Sequence, residues 1–528
     1  MRYAYLVNVD AGDNHNKFYE IKELSDGSLE CRYGRVGSEG SVHVYNRYEK
    51  DFYDLVESKE RKGYKDVTDL HKVEVVTRTI PTYKPVEDNE VQKVLERIIA
   101  ASRQFMKKNY TISTADITPD MIGEAENKLA KLGKMLDSSW NVWSFNSVLQ
   151  ELFATVPRAM THVQDYLAET QNDFRKIYDR EFKMLQNMKG AVSISVQDQK
   201  GDHEDQTVLE ARGLTMRRVT YKEEDEILAH LGADYNGSVE RRYVRAFAVE
   251  NKATRKAYEE YKQERKIGKR EFKLFYHGSK LENWYSILSS GLLLNPNAVQ
   301  TGKMFGKGLY FAPECRKALN YMDTKGSRWN AGTEDTGYTA IYSVALGKRY
   351  EPNHVLGSTF TGDQLPKGYS SVYASKKNKH LGLNNDEYIV YKQEACTVKY
   401  LLEMRSNYAP ELKFTIDRDM LKGCFADCEG TLEKTEYGYV VEGYPLPEQF
   451  KATLGMTGKV KIAYLTETDE IAFVKSGKKL RNKLTKDDLR FLTRELKRQY
   501  ADGEYEWENL MKEGLDQISP KEKKQIAG

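Results

Sequence analysis

The sequence predicts a multidomain α+β protein. Its 528 residues suffice for about three or four domains of ordinary size. Short runs that alternate apolar and polar residues fill residues 1–80, whereas apolar residues recur at helical spacing between 90 and 190. From about Val208 onward, strand-like and helix-like patterns interleave with many glycine turns. Such changes of period along a long chain indicate separate domains with different secondary structure.

The composition excludes several classes of protein. With 40% hydrophobic and 30% charged residues, the chain is predicted to be soluble and globular. No apolar run approaches the roughly 20 residues that span a bilayer, and the N-terminus lacks the apolar core of a signal peptide. Five cysteines, an odd and low number, favour a reducing intracellular setting. Cys424 and Cys428 have no second pair of ligands at zinc-finger spacing, so no metal site is expected.

Residues 1–80 are predicted to form a small antiparallel sheet with one helix. Glycine-containing turns at 25–28 and 34–40 separate strand-like runs with alternating side chains. These runs are "YAYLVNV", "KFYEIKEL" and "VHVYNRYE". A helix is predicted around "EKDFYDLVESKERKG", and a proline-containing linker follows at 80–90.

Residues 90–190 are predicted to form a helical bundle. The first helix carries a stripe of apolar residues, namely Val91, Val94, Leu95, Ile98 and Ile99. Thr118 and Pro119 are predicted as the N-cap and first residue of the next helix. Further helices are predicted over "NSVLQELFATV" and over 161–188, and the polar segment 189–207 is predicted to be a mobile linker.

Residues 405–528 begin with strand-like runs and finish in charged helical patterns. The stretch 475–498 holds ten Lys and Arg residues against three Asp and Glu. It is either a face that contacts nucleic acid or a solvated helix surface, and the sequence favours neither. The formal net charge of +3 is too small to indicate nucleic-acid binding by itself.

The stretch "FYHGSKLENWYSILSSG" joins a predicted strand to a predicted helix at a histidine. Apolar, β-favouring residues end at His277, and Ser279 and Glu282 fit a capping box at a helix start. The joint is either a packed strand–turn–helix connection or a place where Gly278 lets a ligand approach the backbone.

Two later stretches carry the other candidate residues. The glycines of "TGKMFGKGLYFAPECRKALNYM" do not fit a phosphate-binding loop, because three residues rather than four separate Gly302 from Gly306. Tyr310 and Tyr321 flank a helical segment here, where they either clamp a planar ring by stacking or fill a core. Glu387 opens the strand-like run "EYIVY" and is either a solvated turn residue or part of a site.

Five ordered stretches give the sequence a family resemblance. They are "YHGS", "TGKMFGKGLYFA", "YTAIYSVALGKRYE", "LPKGYSSV" and "NNDEYIVY". Their order and spacing resemble the catalytic domain of the poly(ADP-ribose) polymerase (PARP) family, and they make His277, Tyr310 and Glu387 similar to that family's His-Tyr-Glu triad. Upstream, "RYGRVGSEGS" resembles a WGR domain, and the segment around "LQELFATVP" resembles the family's helical regulatory domain.

The resemblance implies four domains. They are a WGR-like nucleic-acid-binding domain at 1–80, a helical regulatory domain at 88–190, a PARP catalytic α+β domain at 207–404, and an appended α+β domain of unrecognised type at 405–528. An intracellular protein is implied, nuclear in a eukaryote and cytoplasmic or nucleoid-associated in a bacterium.

The resemblance implies an NAD+ ADP-ribosyltransferase of the polymerase type that uses no metal. Such enzymes cleave the nicotinamide–ribose bond of NAD+ through an oxocarbenium-like state and transfer ADP-ribose to a protein or nucleic-acid acceptor. Glu387 is implied to bind the ribose and to activate the acceptor hydroxyl. The NAD+-contacting residues that the resemblance implies are His277, Gly278, Ser279, Asn283, Tyr310, Ala318 and Tyr321.

The implied partners are DNA, in the form of strand-break ends, and protein acceptors that include the chain itself; no membrane is implied. Tyr33 and Arg35 of the WGR-like motif are implied to contact the nucleic acid or to transmit its binding. The helical domain is implied to restrain the catalytic site until nucleic acid binds. A catalytically weak scaffold that binds NAD+ or ADP-ribose, a mono-ADP-ribosyltransferase and an NAD+ glycohydrolase stay open as alternatives.

Three positions depart from the family's pattern. Ala318 stands where a serine that binds the nicotinamide carboxamide is usual, so one neutral hydrogen bond worth about 0.5–1.5 kcal/mol is expected to be missing. Leu293 stands where an arginine near the adenine is common, and Tyr33 replaces the tryptophan of the WGR motif. The first departure predicts weaker binding of NAD+ or of nicotinamide mimics.

Overall fold

The structure is a computed structural model, and it describes residues 2–71, 83–110, 117–136, 140–198, 205–232, 235–294, 304–328 and 332–407, together with short strands between 431 and 481. The helices in these parts are α1 (Phe52–Glu60), α2 (Thr68–His71), α3 (Asn89–Asn109), α4 (Pro119–Lys134), α5 (Val142–Thr155), α6 (Asp173–Asp198), α7 (Val208–Ala211), α8 (Tyr221–Gly232), α9 (Lys252–Glu264), α10 (Trp284–Ser290) and α11 (Cys315–Leu319).

The strands in the same parts are β1 (Tyr3–Asp10), β2 (His15–Glu23), β3 (Leu29–Arg35), β4 (Ser41–Tyr45), β5 (Lys65–Asp66), β6 (Leu214–Arg218), β7 (Tyr243–Asn251), β8 (Phe272–Gly278), β9 (Leu309–Phe311), β10 (Thr336–Ala345), β11 (Arg349–Tyr350), β12 (Ser371–Ala374), β13 (Glu387–Val390), β14 (Cys396–Arg405), β15 (Thr431–Thr435), β16 (Gly438–Val441), β17 (Tyr444–Pro445), β18 (Val460–Leu465), β19 (Glu470–Lys475) and β20 (Lys478–Arg481). Their orders within the sheets are β4-β3-β2-β1-β5, β6-β7-β14-β10-β8, β11-β12-β13-β9 and β16-β15-β18-β19-β20, with β17 paired to β18.

These sheets and helices confirm the predicted α+β fold class. The chain divides into two compact units, each described by itself. The first comprises residues 1–215, 249–313 and 340–399, and the second comprises residues 216–248, 314–339 and 400–528.

In the first unit, β1–β5 form the predicted N-terminal antiparallel sheet. Helix α1 begins after Asp51, whose side chain caps its first turn. The helix and the sheet share a core of Ala4, Leu6, Tyr19, Ile21, Leu29, Cys31, Phe52 and Leu55. The prediction of a turn at Gly34 and Arg35 was wrong, because they end strand β3 by pairing with Phe18 and Lys17 of β2.

Helices α3–α6 form the predicted bundle around an apolar core. Thr118 caps α4, as predicted, by accepting a hydrogen bond from its first turn. The predictions for α6 were wrong at both ends. The helix begins at Asp173, after a 3-10 turn at Val163–Tyr166, and it continues to Asp198 through residues predicted to be a linker. Burial of Val192 in the bundle core accounts for the longer helix.

Helix α10, which follows β8, packs against α3 and α6 of the bundle. At Gly190 of α6, an added Cβ would lie 1.7 Å from the Oγ of Ser286. A side chain larger than hydrogen at this position would push the two helices apart. The bundle therefore lies directly on the helix that follows the His277-Gly278-Ser279 stretch.

In the second unit, β7 and β14 pair antiparallel, with Tyr400 opposite Ala248. The predicted tail strands "KVKIAYL" and "EIAFV" are confirmed as the antiparallel pair β18 and β19. Lys475 and Lys478–Arg481 of the predicted basic stretch lie in β19 and β20. The rest of that stretch, the predicted charged helices and the pair Cys424 and Cys428 lie outside the described residues.

Candidate active site

Tyr310 and Glu387 lie on the same face of a small sheet. Strands β9 and β13 pair antiparallel, with Tyr310 opposite Ile389. Because side chains alternate along a strand, Glu387 projects from the same face as Ile389 and Tyr310. Burial raises the pKa of the Tyr310 phenol well above its usual range, and the negative charge of Glu387 raises it further. The Glu387 carboxylate and the Tyr310 phenol therefore project from one face of the sheet.

His277 lies on the strand next to Tyr310. The N–H of Tyr276 donates to the carbonyl oxygen of Ala312 at 2.9 Å, and the N–H of Ala312 donates back to Tyr276 at 3.1 Å. His277 follows directly, and its Nδ1 lies 3.4 Å from the carbonyl oxygen of Tyr310. Residues separated by more than 100 positions in the sequence thus come together on the three strands β8, β9 and β13.

The loop before β9 is fixed by tyrosine hydroxyls. The Tyr310 hydroxyl donates to the carbonyl oxygen of Gly306 and accepts the N–H of Phe305, both at 3.0 Å. The Tyr391 hydroxyl donates to the carbonyl oxygen of Phe305 at 2.5 Å. Gly306 has a φ of +81°, and an added Cβ there would lie 2.0 Å from the carbonyl oxygen of Phe360. Close backbone packing therefore requires this glycine.

Tyr391 is a site residue that the sequence reasoning missed. Its hydroxyl holds the loop that carries Tyr310, and burial raises its pKa above the usual range. The signal was present in "EYIVY", since Glu387, Ile389 and Tyr391 occupy alternate positions of this strand-like run. The sequence could not show that this face packs against the loop that contains Phe305.

The predicted capping box of Ser279 and Glu282 was wrong. A 3-10 turn at Leu281–Asn283 precedes α10, and no side chain caps either segment. The Oγ of Ser279 instead accepts a hydrogen bond of 2.8 Å from the Nδ2 of Asn283. This bond draws Asn283 back over the half-buried end of β8, where Gly278 is the last strand residue.

The Oδ1 of Asn283 is buried and has no hydrogen-bond partner among the described residues. Buried polar atoms in proteins nearly always have a partner, so such an atom indicates a missing donor. A hydroxyl group of a bound molecule would supply it. Ser279 and Asn283 therefore form a polar pair beside His277 that is suited to a sugar or another polyhydroxyl ligand.

Ala318 and Tyr321 belong to the second unit. Ala318 is buried in α11, and its carbonyl oxygen accepts the N–H of Tyr321 at 3.0 Å. The side chain of Tyr321 is 42% exposed, which leaves ring surface available for a ligand. The predicted stacking of a planar ring between Tyr310 and Tyr321 stays a prediction.

The two candidate residues of the WGR-like motif have different surroundings. Tyr33 is 40% exposed and stacks on Tyr19, with ring centroids 5.3 Å apart. The guanidinium group of Arg35 donates to the carbonyl oxygens of Met160 and Thr161 at 2.9 and 2.6 Å. Arg35 thus contacts the loop between α5 and α6 of the bundle.

Sequence models of two protein families match the chain. The model of the poly(ADP-ribose) polymerase catalytic domain matches residues 221–406, and the model of the WGR domain matches residues 3–70. The chain therefore contains a PARP catalytic domain and a WGR domain. His277, Tyr310 and Glu387 all lie inside the residues that match the catalytic domain.

Several curated relatives are similar to this chain. "Poly [ADP-ribose] polymerase 2" of Homo sapiens is 22% identical over 471 residues, which cover 75% of this chain and 78% of the relative. "Poly [ADP-ribose] polymerase 2-A" of Oryza sativa subsp. japonica is 24% identical over 481 residues, covering 77% and 70%. "Poly [ADP-ribose] polymerase 2" of Arabidopsis thaliana is 34% identical over 163 residues, so that match spans 24% of the relative's length.

In the part of the chain that the structure describes, no group of three His, Cys, Asp or Glu side chains is placed to hold a metal ion. Within the same described residues, no helix is both long and apolar enough to cross a membrane.

Proposed function

We propose that this chain is an NAD+ ADP-ribosyltransferase of the polymerase type. One observation carries the proposal: His277, Tyr310 and Glu387 meet on adjacent strands within residues that match a PARP catalytic domain. NAD+ is the substrate, and the proposed reaction transfers its ADP-ribose part to a hydroxyl or other nucleophile of a protein, including this chain.

Glu387 has the central chemical role. The nicotinamide–ribose bond breaks, and its electron pair leaves with nicotinamide. Positive charge develops on the ribose, and the Glu387 carboxylate opposes it, an effect typically worth about 10²–10³ in rate. The acceptor oxygen then bonds to the anomeric carbon, and Glu387 accepts its proton.

His277, Gly278 and Tyr310 would hold the two ends of NAD+. The imidazole of His277 would hydrogen-bond the adenosine ribose, and the backbone N–H and C=O of Gly278 would pair with the nicotinamide carboxamide. The rings of Tyr310 and Tyr321 would flank the nicotinamide. A planar aromatic ligand gains most from such offset stacking.

Ser279, Asn283 and Ala318 would complete the binding site. The buried Oδ1 of Asn283 has no donor among the described residues, and it would accept a hydrogen bond from a hydroxyl of the adenosine part. Ser279 would fix the Asn283 side chain through its 2.8 Å hydrogen bond. Ala318 would contact the carboxamide without a hydrogen bond.

The WGR domain is proposed to bind DNA strand-break ends. The helical bundle is proposed to restrain the catalytic site until the WGR domain has bound DNA. Supporting this are the hydrogen bonds from Arg35 to the bundle and the packing of α3 and α6 on α10. The proposed location is intracellular, where NAD+ and DNA are both present, and nuclear if the source is a eukaryote.

The test is to incubate the full chain with NAD+, with and without DNA or RNA ends, and to resolve products by size. Nicotinamide release with long adducts, stimulated by DNA ends, is expected. Adducts of a single unit would replace the polymerase proposal by mono-ADP-ribosylation, and release without adducts would indicate a glycohydrolase. Absence of release under every condition would favour a scaffold that only binds NAD+ or ADP-ribose.

A further inference from the structure

The two neighbours of Glu387 point away from the active-site face. Because side chains alternate along β13, Tyr388 projects from the side opposite Glu387, and Asp386, which directly precedes the strand, reaches Tyr373 on that side. Tyr373 of β12 is the register partner of Tyr388 and therefore shares that side. Glu387 is the first residue of its strand, so the pairing with Ala374 is the last rung that holds its backbone.

Tyr373 contacts both neighbours of Glu387. Its hydroxyl donates to the Oδ2 of Asp386 at 3.0 Å. Its ring stacks on that of Tyr388, with centroids 4.7 Å apart and planes inclined by 23°. One side chain thus holds the residue before and the residue after the proposed catalytic carboxylate.

Asp386 also extends the strand pairing beyond its last rung. Its Oδ1 accepts hydrogen bonds from the N–H of Lys376 at 2.7 Å and from the hydroxyl of Ser375 at 3.4 Å. These residues follow directly after β12, so the carboxylate joins both ends of the loop between β12 and β13. Joining the two ends of a loop restricts the residues beside those ends.

The face that carries Tyr388 and Tyr373 also contacts β8, the strand of His277. The ring of Tyr388 also stacks on Phe275, with centroids 4.3 Å apart. Phe275 lies two residues before His277 on β8. A row of three aromatic rings, Phe275, Tyr388 and Tyr373, therefore sets the spacing between the strands that carry His277 and Glu387.

We infer that Tyr373, Tyr388 and Asp386 form a clamp behind the active site that positions Glu387 for the reaction. This inference rests on the proposed function. Asp386 is a positioning residue in it and touches no substrate. A reacting group must be held within about 0.5 Å of its working position, which a lone strand end does not ensure.

The test compares Asp386→Ala, Asp386→Asn and Tyr373→Phe in the full chain. With Asp386→Ala, kcat for NAD+ turnover is expected to fall about 10- to 100-fold, as for a misplaced catalytic group. KM is expected to change by less than about threefold, because ground-state binding is retained. Asp386→Asn should restore most of kcat, since its amide oxygen still accepts the Lys376 N–H.

Tyr373→Phe keeps the ring and removes only the hydroxyl donor. Its loss of kcat should be smaller than that of Asp386→Ala. The double variant should be no worse than Asp386→Ala alone, because the one hydrogen bond that Tyr373→Phe removes is already lost in Asp386→Ala. Asp363→Ala, at an exposed position of the same unit, is the matched control and should leave kcat and KM unchanged.

A second readout does not depend on activity. Hydrogen exchange of the peptide that contains Glu387 should accelerate in Asp386→Ala and stay near the unaltered rate in Asp386→Asn and Asp363→Ala. The inference is overturned if Asp386→Ala keeps normal kcat or normal exchange, or if kcat, KM and thermal stability all deteriorate equally in Asp386→Asn. Inactivity of the unaltered chain would instead count against the proposed function, while the exchange result would still decide the clamp.

Discussion

The guanidinium group of Arg35 donates a hydrogen bond of 2.6 Å to the carbonyl oxygen of Thr161. Arg35 ends strand β3 of the WGR domain, whereas Thr161 lies in the helical bundle between α5 and α6. The amide of Asn16 reinforces the contact by donating to the carbonyl oxygen of Arg158 at 3.1 Å. The proposed DNA-binding module is thus tied to the helices that pack against α10.

Replacing Arg35 by glutamine is predicted to weaken the response to DNA. The change removes hydrogen bonds from a charged donor to two bundle carbonyls, and the ratio of DNA-stimulated to basal turnover should fall about tenfold, a typical coupling free energy. Nicotinamide release at saturating DNA ends measures the ratio. Arg47→Gln, which alters an exposed arginine stacked on Tyr48, is the control and should keep the ratio. An unchanged ratio in Arg35→Gln would remove this contact from the account.

Replacing Gly190 by alanine is predicted to raise basal turnover. The new methyl group would collide with Ser286 and separate α6 from α10, which should relieve the proposed restraint several-fold without DNA. Gly123→Ala is a matched control, because this glycine lies in α4 of the same bundle with nothing within 4 Å of an added Cβ. It should leave turnover unchanged and raise stability by about 0.5–1 kcal/mol. Equal basal rates in both variants would contradict autoinhibition by the bundle.

Replacing Ala318 by serine is predicted to tighten the binding of nicotinamide mimics. A new neutral hydrogen bond to the carboxamide is worth about 0.5–1.5 kcal/mol, or roughly two- to tenfold in Kd. Calorimetric titration of the full chain with a nicotinamide-like inhibitor measures the change. Ala253→Ser, at an exposed position of α9, should leave the Kd unaltered. Equal or weaker binding in Ala318→Ser would count against the proposed placement of the ligand.

Strand alternation was the part of the site that the sequence predicted best. The period of "EYIVY" identifies the residues that share a face with Glu387. That Ile389 lies opposite Tyr310, and that Tyr388 stacks on Phe275, depends on strand pairing between distant segments. No local pattern contains this information, so Asp386, beside the proposed catalytic carboxylate, had no visible signal.

Helix ends show how ambiguous a local signal can be. Ser279 and Glu282 have the spacing of a capping box, yet Asn283 takes the Ser279 oxygen and the box does not form. Thr170 and Asp173 have the same spacing and were overlooked. There the Asp173 carboxylate accepts the N–H of Thr170 at 2.8 Å, and α6 begins at Asp173.

The most direct measurement is NAD+ turnover by the full chain carrying Glu387→Gln, with DNA ends present. The substitution keeps the size of the side chain and removes the charge that opposes the developing oxocarbenium ion. Turnover and polymer formation are predicted to fall by about 10²–10³, while a nicotinamide mimic still binds. A variant that makes polymer at the unaltered rate would contradict the assignment of this carboxylate, and with it the account of the active site.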